Sequence, residues 1–230
     1  MRGDNGRKPF VWHTVDLRSE LPEGWTDEIA AAAARHAQRH DLVPVSVTSR
    51  EDLTVAAVPV LTVDGTPIAR ELPWLHELYE SRVRELAEWI FREPVLVACD
   101  ARHAINLNVQ RGTTMRYEAH VDSNPVGALL YSTTHPPGAG GELVVSNRGD
   151  VSGIDEIEAD CSRIHPVSGH LVLFDARRHS HYVAPLRDPS GERIVVAMNL
   201  YTASAPESER PADLSTHLFG TQQHEEQQPA

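Results

Sequence analysis

The chain has 230 residues, 40% of them hydrophobic, and a formal net charge of −12 at pH 7. That length accommodates one domain of ordinary to large size with a real core, which excludes global disorder. The acidic balance argues against nucleic acid or an anionic membrane surface as the main partner.

Residues 1–10 read as a frayed polar terminus, with no apolar stretch behind Lys8 of the kind a secretory signal needs. Trp25-Thr26-Asp27-Glu28 opens a helix, with Thr26 as cap and the acids in the first turn, running through the alanines to about His40. β-Branched pieces follow at Val45–Val47 and Thr54–Val63, and Asp64-Gly65 is a hairpin turn signal. From Pro73, the apolar residues Leu75, Tyr79, Val83, Leu86 and Ile90 recur at spacings of three and four, which predicts a helix ending at Glu93-Pro94. Short β-rich runs then succeed one another: 95–99, 105–110, 115–120, 128–133, 142–146, 160–164, 170–175, 181–184 and 193–201. Gly, Pro, Asn and Asp turn residues separate them. Helices first and then about nine strands predict an α+β, mainly β architecture, a sandwich or barrel with helices on one side.

The organisation expected is a helical and β extension over 1–100 packing on a core over 101–202, then a polar, flexible tail over 203–230. No run approaches the ~18 apolar residues of a membrane span. The two cysteines, Cys99 and Cys161, form neither a C-x-x-C pair nor a dense framework, and read as reduced core thiols. Together these features predict a soluble, cytoplasmic protein.

The chemistry concentrates in Arg116-Tyr-Glu-Ala-His-Val-Asp122. His120 and Asp122, two positions apart, share a face on a strand or strand end. His179 and His181 follow the apolar run 169–175. Two imidazoles and one carboxylate form the facial set that holds non-haem Fe(II) and leaves positions open for chemistry. Asn106, Asn108, Tyr131 and Asn199 are polar side chains inside apolar strands, where each needs a partner: a core hydrogen bond, or a ligand carboxylate or keto oxygen.

The order His120-x-Asp122, Gly140-Gly141-Glu142-Leu143, Pro166 to Phe174, His181-x-Val183-x-Pro185 and Gly191-x-Arg193 resembles the Fe(II)- and 2-oxoglutarate-dependent dioxygenases, most of all their prolyl-4-hydroxylase-like branch. The resemblance covers roughly residues 104–202 and implies a double-stranded β-helix, the cupin-like jelly roll. It makes His120, Asp122 and His181 the catalytic iron ligands, with His181 ahead of His179 because the family's distal ligand precedes x-V-x-P. Arg193, ahead of Arg187, matches the basic residue that grips the far carboxylate of 2-oxoglutarate. A planar guanidinium suits that task. Asn108, Tyr131 and Asn199 are the further candidates for contacts to this co-substrate. His135, His165 and His170 read as structural or pocket residues.

The implied cofactor is Fe(II), with 2-oxoglutarate and O2 as co-substrates. The implied reaction couples oxidative decarboxylation of 2-oxoglutarate to hydroxylation of an unactivated C–H bond. In the superfamily's radical halogenases a small residue replaces the carboxylate ligand, so Asp122 favours hydroxylation. No peptide-binding repeat is visible, which favours a small-molecule substrate, a free amino acid or a natural-product intermediate, over a protein residue. The rival class is a non-oxygenase cupin-like metal protein, which would not need Arg193.

Overall fold

The computed structural model describes residues 11–42, 58–212 and 214–219. The expected strand at Val45–Val47 and the frayed first ten residues lie outside them. In the N-terminal part, β1 (Trp12–Asp16), α1 (Trp25–His36), β2 (Gln38–Leu42) and β3 (Val58–Val63) are followed by α2 (Gly65–Glu71) and α3 (Pro73–Leu78). A π-helical turn over Tyr79–Val83 leads into α4 (Arg84–Phe91), then β4 (Val95–Val97) and α5 (Ala101–Ala104).

Three local expectations change here. The helix opening at Trp25 is capped by Gly24 at φ 76°, without a side-chain cap, and Thr26 lies inside it. It also ends at His36, because Ala37 turns extended and β2 pairs with β3, His40 opposite Val60. A continuous ladder there outweighs the helix propensity of an alanine run. Asp64-Gly65 is a helix start, not a hairpin: the Asp64 carboxylate accepts from Thr66 N–H at 2.9 Å and caps α2.

The long amphipathic segment forms as expected, but the residues it buries fully are Leu75, Tyr79, Val83, Ala87 and Phe91, with Leu86 and Ile90 half-buried beside them. Each four-residue step overshoots an α-helical face by about 40°. The wider π turn at Tyr79–Val83 absorbs that drift and keeps one stripe on the sheet.

The second half carries β5 (Ile105–Arg111), β6 (Tyr117–His120), β7 (Val126–Tyr131), β8 (Leu143–Ser146), α6 (Ile154–Ala159), β9 (Cys161–Ile164), β10 (His170–Asp175), β11 (His181–Val183), β12 (Glu192–Thr202) and α7 (Leu214–Phe219). All nine expected strand runs are present. The unexpected elements are β1, β2 and the short helices α2, α5, α6 and α7, each of seven residues or fewer and too short to show a period.

The strands form two antiparallel sheets. One has the order β1-β10-β7-β12-β5-β3-β2, with β4 on the end of β12, and the other β6-β11-β8-β9. The larger sheet packs its Ile105, Leu107, Leu130, Leu173, Val196 and Met198 against the helices. Its other face meets the small sheet through Tyr131, Val172, Phe174 and Val195. This is the jelly roll, flanked on one side by helices. Cys99 and Cys161 are free thiols, but neither lies in the core as expected: Cys99 is exposed and Cys161 half-buried.

The polar segment after Thr202, expected to be flexible, is fastened to the body as far as α7. The Glu207 carboxylate accepts from Cys99 N–H at 2.6 Å, and Arg210 pairs with Asp100 at 2.9 Å. Thr62 Oγ1 donates to Leu218 O at 3.5 Å, and the Phe219 ring lies 5.3 Å from that of His103, with the Arg102 guanidinium 4.9 Å from its centroid.

His103 is buried there, and burial, with Arg210 and Arg102 adding to it against Asp100 and Glu207, pushes its imidazole down to about 4. The folded protein therefore keeps it neutral where the unfolded chain takes up a proton, so stability falls as pH drops from about 6.5 towards 4. The full shift corresponds to roughly 3 kcal/mol. Urea melts of wild type and His103→Gln at pH 7 and 4.5 should show a smaller acid loss in the variant.

Candidate active site

β12 alternates along its length: Ile194, Val196, Met198 and Leu200 face the helices, leaving Arg193, Val195, Ala197 and Asn199 towards the small sheet. Register places Val195 between Asn108 on β5 and Tyr131 on β7, and Thr62 on β3 beside Asn108. These side chains share the inner face of the larger sheet.

Opposite them, β6 and β11 pair irregularly. His181 meets His120 and Val183 meets Tyr117, so β6 uses three steps where β11 uses two. This bulge turns both Tyr117 and His120 inward, although regular alternation would put them on opposite faces. Tyr117 packs in the inner cluster with Tyr131 and Val183. Asp122 lies just past the strand, its N–H donating to Ala176 O at 2.9 Å.

His120, Asp122 and His181 converge, with one ligand atom from each within 4.8 Å of the others. Asp122 Oδ1 is 3.3 Å from His120 Nε2 and 3.7 Å from His181 Nε2. Ligands about 2.1 Å from an octahedral cation sit about 3 Å apart at adjacent corners, so these separations are slightly wide of that spacing and small side-chain shifts would let one ion reach all three. Both imidazoles are oriented for it. His120 Nδ1 lies 2.6 Å from Glu118 O and His181 Nδ1 3.0 Å from His179 O. A carbonyl only accepts, so Nδ1 carries the proton in each ring and Nε2 offers its lone pair to the centre. Burial, reinforced by His120, pushes His181 down to about 4, which keeps it a neutral ligand near pH 7. Burial pushes the Asp122 carboxyl up, but His181 and His120 outweigh it and hold it below the usual range. His179, the rival, is buried with Nδ1 2.9 Å from Ser146 O and stands outside this cluster.

Arg193 is the largest fully buried side chain, at 0% exposure, whereas Arg187 is exposed. Its guanidinium lies 5.3 Å from the Tyr131 ring centroid. Among the described residues no carboxylate pairs with it; its nearest polar neighbour is the Tyr131 hydroxyl, and the Tyr117 hydroxyl is likewise buried without a close partner. Burial raises both phenols, with Arg193 pulling the other way, so both stay protonated donors. A buried guanidinium beside two phenols, with no carboxylate on it among the described residues, can seat an anion.

Gly140 and Gly141 make room for this seat. Gly140, at φ 84°, would place a Cβ 2.1 Å from Pro185 O, and Gly141, at φ 76°, one 3.1 Å from Arg193 Cδ and 2.9 Å from Leu186 Cδ2. Gly141→Ala should weaken 2-oxoglutarate binding roughly tenfold or more while costing about 1–3 kcal/mol of stability. Isothermal titration and a urea melt measure the two effects.

Of the other candidates, Asn108 is half-buried, with no side-chain partner among the described residues. Asn199 commits its Nδ2 to His103 O at 2.6 Å and Asn106 Oδ1 at 3.3 Å, the core hydrogen-bond alternative weighed in the sequence. His135 Nε2 lies 3.0 Å from Glu192 O, and neither it, His165 nor His170 enters the cluster. Tyr117 escaped sequence reasoning, because only the bulge brings it inward.

The sequence from 105 to 201 matches the model of the 2OG-Fe(II) oxygenase superfamily, a stretch that holds the three clustered residues and Arg193. Over that stretch the chain is similar to the 2OG-Fe(II) oxygenases. Solved structures with the same fold include a 2OG-Fe(II) oxygenase family oxidoreductase from Burkholderia pseudomallei, 13% identical, with a TM-score of 0.58 over 83% of this chain and 84% of that one. The α-ketoglutarate-dependent epimerase SnoN of nogalamycin biosynthesis is 15% identical, with a TM-score of 0.57 over 84% and 78%. A prolyl hydroxylase from Trichoplax adhaerens, in complex with a hypoxia inducible factor oxygen degradation domain peptide fragment, is 16% identical, with a TM-score of 0.58 over 86% and 85%. No curated protein matches the sequence.

The oxygenase uses Fe(II), 2-oxoglutarate and O2. The donor set fits this cofactor and co-substrate: two imidazoles and a carboxylate for the metal, a buried cation for a dicarboxylate. Bound together, they supply an oxidative decarboxylation that drives C–H oxidation. No helix among the described residues is long and apolar enough to cross a membrane.

Proposed function

We propose that this oxygenase hydroxylates an unactivated C–H bond of a small molecule, a free amino acid or a natural-product intermediate. His120, Asp122 and His181 hold Fe(II). Arg193 grips the far carboxylate of 2-oxoglutarate, assisted by the hydroxyls of Tyr131 and Tyr117, and Asn108 offers an amide from the sheet between them. Asn199 holds the floor of the site in place. The observation that carries this reading is the buried Arg193 guanidinium, which no carboxylate among the described residues neutralises, on the same inner face that looks onto the His/Asp/His cluster. A metal-binding protein without a co-substrate would bury such a cation at a cost of several kcal/mol to no purpose.

Asp122 favours hydroxylation, since its carboxylate occupies the position that halide would need. The small-molecule reading draws on the mixed floor, with the Leu129 and Ala197 side chains partly buried beside the Asn108 amide. It also draws on the likeness to SnoN, named for a natural-product pathway. The peptide held by the Trichoplax enzyme favours a second reading, a peptidyl residue as target.

The test is succinate formation with Fe(II), 2-oxoglutarate and O2 against free amino acids, small cyclic natural products and short peptides, followed by product mass. A gain of ~16 Da on a small molecule supports the proposal, on the logic that oxygen is inserted into the C–H bond. Turnover with peptides alone moves the substrate to the second reading, and no succinate with any of them defeats the oxygenase assignment.

A further inference from the structure

The larger sheet is wider than the one facing it. β6 is the outer strand of the small sheet and approaches β3; beyond it, α7 packs against β3 and β2. Thr62, whose hydroxyl reaches Leu218 O, shares the inner face of β3 with its neighbour Asn108, so α7 lies on the same side of the sheet as the metal cluster. Asn108, Leu129, Ala197 and Asn199 keep some exposure in mid-sheet, while the residues flanking each of them along its strand are buried. The His120 and Asp122 side chains are 20% and 27% exposed. These residues outline a cleft that leads to the cluster.

The anchor of α7 is joined to the floor of that cleft. Phe219 packs on His103 beneath the Arg102 guanidinium. The carbonyls of these same two residues hold the floor amides, Asn199 Nδ2 on His103 O at 2.6 Å and Asn106 Nδ2 on Arg102 O at 2.8 Å. Arg102 is itself fixed by Asp64 at 3.2 Å.

We propose that α7 is the closing wall of the substrate cleft and Phe219 its latch, so that undocking of the C-terminal segment controls access to the metal centre. This rests on the assignment of His120, Asp122 and His181 as metal ligands. Among the described residues α7 is fastened by the Phe219 ring on His103 and by Thr62 on Leu218 O, and short, terminal elements belong to the low-stability end of a fold, where access elements are found.

The test needs no substrate. Full-length protein is loaded with Co(II), and release of the metal to excess EDTA is followed for wild type, Phe219→Ala and Phe219→Leu, with thermal melts confirming that each is folded. Phe219→Ala should release and take up Co(II) faster, by on the order of fivefold or more, with the equilibrium affinity held within about twofold, because opening a gate changes both rates together. Phe219→Leu, which keeps apolar bulk, should return most of the wild-type rate. Unchanged release from folded Phe219→Ala overturns the proposal. So does a fall in affinity that matches the faster release, since the helix would then support the ligands without gating them. If wild-type protein takes up no Co(II), the metal assignment fails, and the gate with it.

Discussion

Arg193→Met should abolish 2-oxoglutarate binding and leave the ligand-free protein at least as stable as wild type. The two halves of this result have one cause. The guanidinium is fully buried, and among the described residues no carboxylate neutralises it. Taking away the partner of a buried charge pair costs about 2–5 kcal/mol, which is roughly 30- to several-thousand-fold in affinity for the dicarboxylate. In the ligand-free state the same substitution removes an uncompensated buried cation, and apolar replacements of buried ionic groups range from neutral to about 1–4 kcal/mol stabilising. Thermal melts with and without 2-oxoglutarate separate the effects. Wild type should gain melting temperature with the ligand, and Arg193→Met should start as high or higher and gain nothing. A variant that melts far below ligand-free wild type, or that still responds to 2-oxoglutarate, would remove Arg193 from the anion seat.

His120→Ala, Asp122→Ala and His181→Ala should each reduce metal affinity by more than the roughly 10–100-fold that losing an outer-shell partner costs. Succinate formation should fall to background in all three. The direct measurement is anaerobic addition of Fe(II) and 2-oxoglutarate, which in wild type should raise a weak visible charge-transfer band near the green. The band should be missing in every ligand variant, whereas His179→Ala should keep it, because His179 is buried against Ser146 outside the cluster. Loss of the band in His179→Ala with full retention in His181→Ala would reverse the assignment.

Much of this site is legible in the sequence because its parts are local. His120-x-Asp122 is one short motif, the glycine pair precedes a strand, and Arg193 follows a turn glycine. The strands were readable for the same reason, each being an apolar run between turn residues. What escaped was set by pairing across the fold. β1 and β2 are polar segments, WHTVD and QRHDL, that become strands only because β10 and β3 offer them edges. Asp64-Gly65 carries turn chemistry that serves a hairpin and a helix cap equally, and the downstream packing of α2 decides between them. The docking of the C-terminal segment depends on Glu207, Arg210 and Phe219, isolated residues with no period. Tyr117 sits one residue out of phase with His120, and no one-dimensional pattern announces that both point the same way.

That phase relation limits what substitution can do here. The bulge in β6 makes the imidazole of His120 and the phenol of Tyr117 neighbours on one face at an odd separation. The spacing of the two sites along the strand is therefore part of the chemistry, as much as the identity of either side chain. Any length change between Tyr117 and His120 would restore or double the irregularity and rotate one of the two partners out of the cavity, leaving every functional residue present and the metal end disconnected from the carboxylate end. In this strand a missing alanine would do more damage than a replaced one.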